Sequence, residues 1–239
     1  MLVHAVEASA FGTNCWVLAA GPGEECLVVD PGFGVVEPLR ELLAEHRLRP
    51  AAVLATHGHA DHVWTVTPVC RSAGDPVAVH VHPDDRYRLR DPLATFSPAL
   101  LDMLRQQFGP SERWQEPDRV VELPVGAPAG PVSAPVPLQA AGLDLTVHHT
   151  PGHTEGSVVF ALAGDDGPLL LSGDLLFAGS VGRSDLAGGD PAAMTTSLRD
   201  VLPRFADETL VLPGHGPTTT MARERATNPY LTSLTVGGR

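Results

Sequence analysis

The sequence predicts an α/β protein in which sheets are covered by helices. Three observations lead there. Apolar strand runs alternate with segments of helical spacing in both halves of the chain. Several strand runs end in a Gly-flanked His or Asp, as loops at the end of a rigid sheet do. The 239 residues suffice for one large domain, residues 1–239, with a substantial core.

Asn14 to Ala20 and Glu25 to Asp30 read as strands joined at Gly21-Pro-Gly23, a hairpin signal. Val36 to His46 has helical spacing, with Leu39, Leu42 and Leu43 on one face. Ala51 to Thr56 is a buried strand candidate that runs straight into His57-Gly-His-Ala-Asp-His62. A helix is expected from near Asp61 through Val69, and a strand over Val77 to Val81. Residues 84–122 differ: they carry Arg86, Arg88 and Arg90, read as a solvated face, and an amphipathic stretch from Pro98 to Phe108. A helical insertion or lid over a substrate site is expected there. Residues 124–137, rich in Pro, Gly, Ala and Val, read as a surface loop or strand edge. The second half repeats the rhythm: strands at Leu143 to His149, Ser157 to Ala163, Leu169 to Leu171 and Thr209 to Leu212, and a helix over Ala192 to Phe205. This pattern leaves the topology open.

Composition narrows the function. A net charge of -12 disfavours nucleic acid and anionic membranes as partners. All 16 basic side chains are Arg, so an anionic substrate group must meet Arg or backbone N–H, never Lys. Cys15, Cys26 and Cys70 form no CxxC and are odd in number, which argues for reduced thiols and a cytoplasmic home. Neither a signal peptide nor a membrane-spanning run is read.

The chemistry sits in the histidines. His57, His59, Asp61 and His62 fall within six residues, and His153, Asp174 and His215 each follow a separate strand candidate. Burying three imidazoles and a carboxylate together without a metal is costly. Seven such ligands exceed one tetrahedral ion and suit two, with one carboxylate between them. Zinc is the first expectation, with iron or manganese as alternatives. His4, His46, His80, His82, His148 and His149 are read as structural.

Thr56-His-Gly-His-Ala-Asp-His62 resembles the HxHxDH signature of the metallo-β-lactamase superfamily. Thr150-Pro-Gly-His153, Ser172-Gly-Asp174 and Pro213-Gly-His-Gly216 are similar to its next three motifs, in order. The resemblance implies a four-layer αββα sandwich. It implies one metal on His57, His59 and His153, a second on Asp61, His62 and His215, and Asp174 bridging. Within the superfamily the chain resembles the glyoxalase II-like group, through Phe177 to Asp185 and Glu224 to Leu231. That implies a small-molecule thioester substrate, an S-acyl (hydroxyacyl) thiol conjugate, opened by a metal-bridging hydroxide. Asp61 and His62 are the implied catalytic pair, and Arg183 the implied substrate-binding residue. The chain departs from full-length glyoxalase II after Tyr230, where that group carries a helical extension, and at Pro217, where an aromatic is expected.

Persulfide dioxygenases resemble the chain nearly as well, and imply one iron on His57, His153 and Asp174. True β-lactamases resemble it less, because a Cys normally replaces the Asp174 carboxylate. A non-catalytic metal-binding protein is the third reading; the intact ligand set argues against it. The oligomeric state is not legible.

Overall fold

The computed structural model describes residues 1–72, 76–94, 96–108, 113–129 and 132–236. The first half comprises β1 (Leu2–Glu7), β2 (Asn14–Ala19), β3 (Glu25–Val29), α1 (Val36–His46), β4 (Arg49–Leu54), α2 (Ala60–Val63), α3 (Val66–Arg71) and β5 (Val79–Val81). A 3-10 helix (Pro83–Leu89), α4 (Pro98–Phe108) and β6 (Val120–Glu122) complete it. The second half comprises β7 (Pro128–Ala129), β8 (Val132–Ser133), β9 (Val136–Ala140), β10 (Leu143–His149), β11 (Val158–Gly164), β12 (Gly167–Gly173), β13 (Leu176–Phe177), β14 (Ser180–Val181) and α5 (Pro191–Asp200). It ends with β15 (Leu210–Pro213), β16 (Thr219–Thr220), α6 (Met221–Thr227) and α7 (Pro229–Val236).

Two six-stranded sheets form, in the orders β1-β2-β3-β4-β5-β6 and β16-β15-β12-β11-β10-β9. Side-chain alternation sorts each central strand between two cores. In β3, Leu27 and Val29 face the second sheet, where they meet Phe160, Leu171 and Leu212. Cys26 and Val28 face the other way, against Leu39 and Leu43 of α1 and Val66 and Val69 of α3. Val159, Leu170 and Val211 leave the second sheet's far side to pack on Met194 and Leu198 of α5, Met221 and Leu231. Three apolar layers between four layers of structure make the αββα sandwich.

The strand directions place the site. β3 and β4 run parallel. In the second sheet β12 and β15 are parallel, and β10 shares their direction because β11 opposes both. The carboxyl ends of β4, β10, β12 and β15 therefore lead into the four segments that carry the seven candidate ligands, five on loops and Asp61 and His62 on α2.

Several expectations are corrected. The helix expected from Asp61 to Val69 is two helices, split because Thr65 N and Oγ1 bond back to Pro31 O, and Oγ1 also to Gly32 O. The helix expected to reach Phe205 stops at Asp200 and continues as a 3-10 turn over Leu202–Arg204. Residues 124–137, expected as a surface loop or strand edge, hold a short β-ladder and the start of β9, which is indeed the edge strand of the second sheet. Arg86 and Arg90 are exposed, but Arg88 is buried. Within the expected insertion, residues 95 and 109–112 lie outside the described residues. Among the described residues, no helix is long and apolar enough to cross a membrane.

Candidate metal centre

The chain bends at Thr56 and His57, and His59 (φ -70, ψ 146) is the extended N-cap of α2. This path brings His57 Nε2 to within 3.1 Å of His59 Nδ1. The helix then turns Asp61 and His62 toward a second point. His153 completes the first group, with Nε2 2.8 Å from His59 Nδ1. His215 completes the second, with Nε2 3.2 Å from His62 Nε2 and 3.3 Å from Asp61 Oδ2. Asp174 stands between them: Oδ2 is 3.4 Å from His153 Nε2, and Oδ1 is 3.3 Å from His62 Nε2.

All seven predicted residues are thus brought together. Ligand bonds of about 2.0–2.1 Å put neighbouring donor atoms about 3.3 Å apart on a tetrahedral ion, inside the 2.8–3.6 Å range found. The buried Asp174 Oδ1 has no hydrogen bond of normal geometry, a costly state that a cation would relieve. The donor set therefore fits two divalent ions. Close packing reinforces it: a Cβ on Gly214 would lie 2.4 Å from Asp174 Oδ1 and 2.8 Å from His62 Cε1.

Protonation states agree with this use at His57 and His59, whereas His62 carries a proton that a cation would displace. Burial, then the surrounding imidazoles, holds His57 well below the ordinary histidine range. Burial, followed by His153, pushes His59 down to about 3. Both rings therefore stay neutral, with lone pairs free to bind. Burial alone would lower His62, but the carboxylates of Asp174, Asp61 and Asp30 outweigh it and raise the ring well above its usual value. Burial opposes ionisation of Asp174 and Asp61, and the neighbouring His62 overrides it in both, keeping both acids below the usual carboxylate range.

A cavity of about 390 Å³ opens over the cluster. His59, Asp61, His153, Asp174 and His215 contribute to its lining, with Phe11, Phe96, Leu100, Phe177 and Leu186 as apolar wall. Arg183 also lines it, but its guanidinium makes a two-bond pair with Asp185, at 2.7 and 2.8 Å. His148 stays apart and packs against Phe205 at 5.1 Å. His82 and His149 stack in parallel at 4.0 Å, an arrangement that cannot aim both rings in-plane at one ion.

The family profile described as the metallo-beta-lactamase superfamily matches residues 8–215. The chain belongs to the metallo-beta-lactamase superfamily. Its relatives include an uncharacterized protein of Mycobacterium tuberculosis, 40% identical over 98% of this chain and 99% of that one. A probable metallo-hydrolase of Bacillus subtilis, YqgX, is 33% identical over 89% and 90%. Hydroxyacylglutathione hydrolase GloC of Haemophilus influenzae is 29% identical over 98% and 99%. Among solved structures, the BLEG-1 B3 metallo-beta-lactamase has a TM-score of 0.75 at 31% identity, covering 97% of this chain and all (100%) of that one. TTHA1623 in a di-iron-bound form has a TM-score of 0.72 at 33% identity, covering 96% and 100%. Superfamily membership and the two His/Asp clusters make this a divalent-metal site.

The groups that orient the ligands escaped sequence reasoning. Asp30 Oδ2 lies 3.0 Å from His62 Nδ1 and accepts from Thr56 Oγ1 at 2.6 Å. Thr56 Oγ1 in turn lies 3.1 Å from His57 Nδ1. Two carbonyls do the rest: Arg183 O is 2.6 Å from His153 Nδ1, and Phe11 O is 3.0 Å from His215 Nδ1. Such partners fix which ring nitrogen is free to bind. A signal for Asp30 existed in Asp30-Pro-Gly32, although Asp30 entered the sequence reading only as the last residue of a strand.

Proposed function

We propose that this chain is a metal-dependent hydrolase of the glyoxalase II type, which cleaves an S-acyl (hydroxyacyl) thiol conjugate with water to an acid and a thiol. One observation carries the hydrolase: the Asp174 carboxylate reaches a histidine of each triad, at 3.3 and 3.4 Å. The thioester class rests on similarity to GloC along almost the whole chain.

His57, His59 and His153 would hold one ion, Asp61, His62 and His215 the other, and Asp174 both; zinc is the first choice, and TTHA1623 makes iron a live one. Such a pair supplies a water ionised near neutral pH and a Lewis acid for the carbonyl. The chain does the remainder. Phe11, Phe96, Leu100, Phe177 and Leu186 enclose the acyl group and exclude bulk water. Asp61 Oδ2, 3.3 Å from Thr13 Oγ1, is placed to take the proton that the attacking water gives up and to pass it to the departing thiolate. His62, at 3.6 Å from the same oxygen, keeps that carboxylate ionised at the start of the cycle. Arg183, at the cavity wall, receives a carboxylate of the carrier by exchanging it for Asp185. Phe96, Ser97 and Leu100 give the α4 region the role of a lid within a single 1–239 domain.

The test pairs elemental analysis with turnover of a thioester series that includes S-lactoylglutathione, and with a β-lactam because of BLEG-1. About two metals per chain with thioester cleavage is the expected result. One iron with oxygen uptake on glutathione persulfide would replace the hydrolase with a dioxygenase. β-Lactam cleavage without thioester cleavage would move the substrate class. Full metal content with no turnover would leave a binding protein.

A further inference from the structure

We propose that Asp85 is a positioning residue for one triad only, the set formed by His57, His59 and His153. The proposal rests on the metal-dependent reading above. The Asp85 side chain is fully buried. Its Oδ2 accepts from Gly58 N and from Thr154 Oγ1, both at 2.7 Å. Its Oδ1 accepts from Gly156 N at 2.9 Å and from Arg88 Nε at 3.3 Å. Gly58 lies between His57 and His59, and Thr154 follows His153. One carboxylate therefore grips the backbone between His57 and His59 and the side chain that follows His153, across loops that leave different sheets.

The grip leaves no slack. A Cβ on Gly58 would lie 2.7 Å from Arg88 Cβ, and one on Gly156 would lie 2.6 Å from Asp85 N. Burying an ionised carboxylate is unfavourable unless donors surround it, and here four do. Arg88 carries the brace further, from Nη2 to Glu155 Oε2 at 2.6 Å and to Ala187 O at 3.0 Å.

The second triad has separate supports. His62 leans on Asp30, Asp61 on Thr13, and His215 on the Phe11 carbonyl. Three imidazole lone pairs aimed at one point repel each other until a cation arrives, so their spacing depends on what holds the backbone. Supports outside the ligand set commonly change metal affinity by about 10–100-fold. For Asp85 that effect is confined to the first triad.

The experiment is a chelator-competition titration of zinc on the full chain. Asp85→Asn keeps the side-chain volume but turns an NH2 toward existing N–H donors. It is introduced into His215→Ala, which leaves the first triad intact, and into His153→Ala, which leaves the second. Zinc binding is expected to weaken by about 10–100-fold in the first background and to stay unchanged in the second. Equal weakening in both, or none in either, overturns the proposal. Thr154→Val, which removes one donor and keeps the shape, gives the same selective loss at smaller size if the Asn variant does not fold. If the unsubstituted chain binds no zinc, the metal-dependent reading itself fails; if it binds zinc and the selectivity is missing, only the role of Asp85 fails.

Discussion

The two triads differ in their ligands and in what supports them, although both reach the cavity, one through His59 and His153 and the other through Asp61 and His215. His57 and His153 are buried, at 1% and 4% exposure, and the loops around them close on a buried carboxylate. In the second triad His215 is 26% exposed and Asp61 19%, both face the cavity, and His215 is steadied by a loop carbonyl. The comparison teaches two ways of holding ligands: one triad is braced through its loops by a single buried carboxylate, and the other is held residue by residue. A buried polar network is rigid when every member is satisfied, while ligands at a cavity floor retain room to adjust.

The largest expected effect removes what the triads share. Asp174→Ala should lower turnover by at least about 10³-fold and reduce metal content, because each site loses a ligand. Full activity with both metals retained would break the comparison at its centre. Next comes the braced side: Asp85→Ala leaves the buried Arg88 and two backbone N–H groups without their acceptor. A loss of about 3–5 kcal/mol is expected in urea unfolding; a change near zero would show that the loops hold themselves. Asp30→Asn should follow, weakening metal binding by about 10–100-fold, and more at His62 than at His57, which it reaches only through Thr56.

Acid offers a subtler probe of the braced side. Burial, then the stacked His149, lowers His82 from its ordinary 6.5 to about 4, with Asp84 opposing. The folded chain thus binds fewer protons than the unfolded chain between pH 6.5 and about 4, so stability falls as pH drops through that window. His82 caps the 3-10 helix that carries Asp85, its Nδ1 accepting from Asp84 N. His82→Asn keeps a capping acceptor and should flatten the pH dependence of the urea midpoint over that range; an unchanged slope would place the acid sensitivity elsewhere. The smallest effect belongs to the exposed Arg86–Glu122 pair, where Arg86→Gln should shift stability by about 0–1 kcal/mol. A larger shift would mean that the solvated part of this segment also supports the site.

What was legible in the sequence follows from distance along the chain. The His57–His62 cluster is readable because four ligands fall within six residues, and the other three because each ends a strand beside Gly. Asp30 and Asp85 act on partners 26 and 27 residues away, which no local pattern reports. β1 was missed because it is an edge strand with only Val6 buried, so its alternation is weak. β9 was obscured by Pro137, a residue that an edge strand tolerates. The continuous helix expected after His59 failed at Thr65, whose bonds go to the loop after β3.

One consequence of the ligand arrangement concerns the unfolded chain. His59 and His153 are 94 residues apart, and His62 and His215 are 153 apart. An ion at each triad would knot the polypeptide into two large, overlapping rings. In the chain-entropy picture, closing a ring of about 100 residues restricts the denatured ensemble by on the order of 4–5 kcal/mol. The three cysteines of this chain are all free and buried. Covalent stapling is thus absent among them, and the ions would act as reversible staples: a chelator would unclasp the two sheets as a reductant unclasps a disulfide-bonded protein.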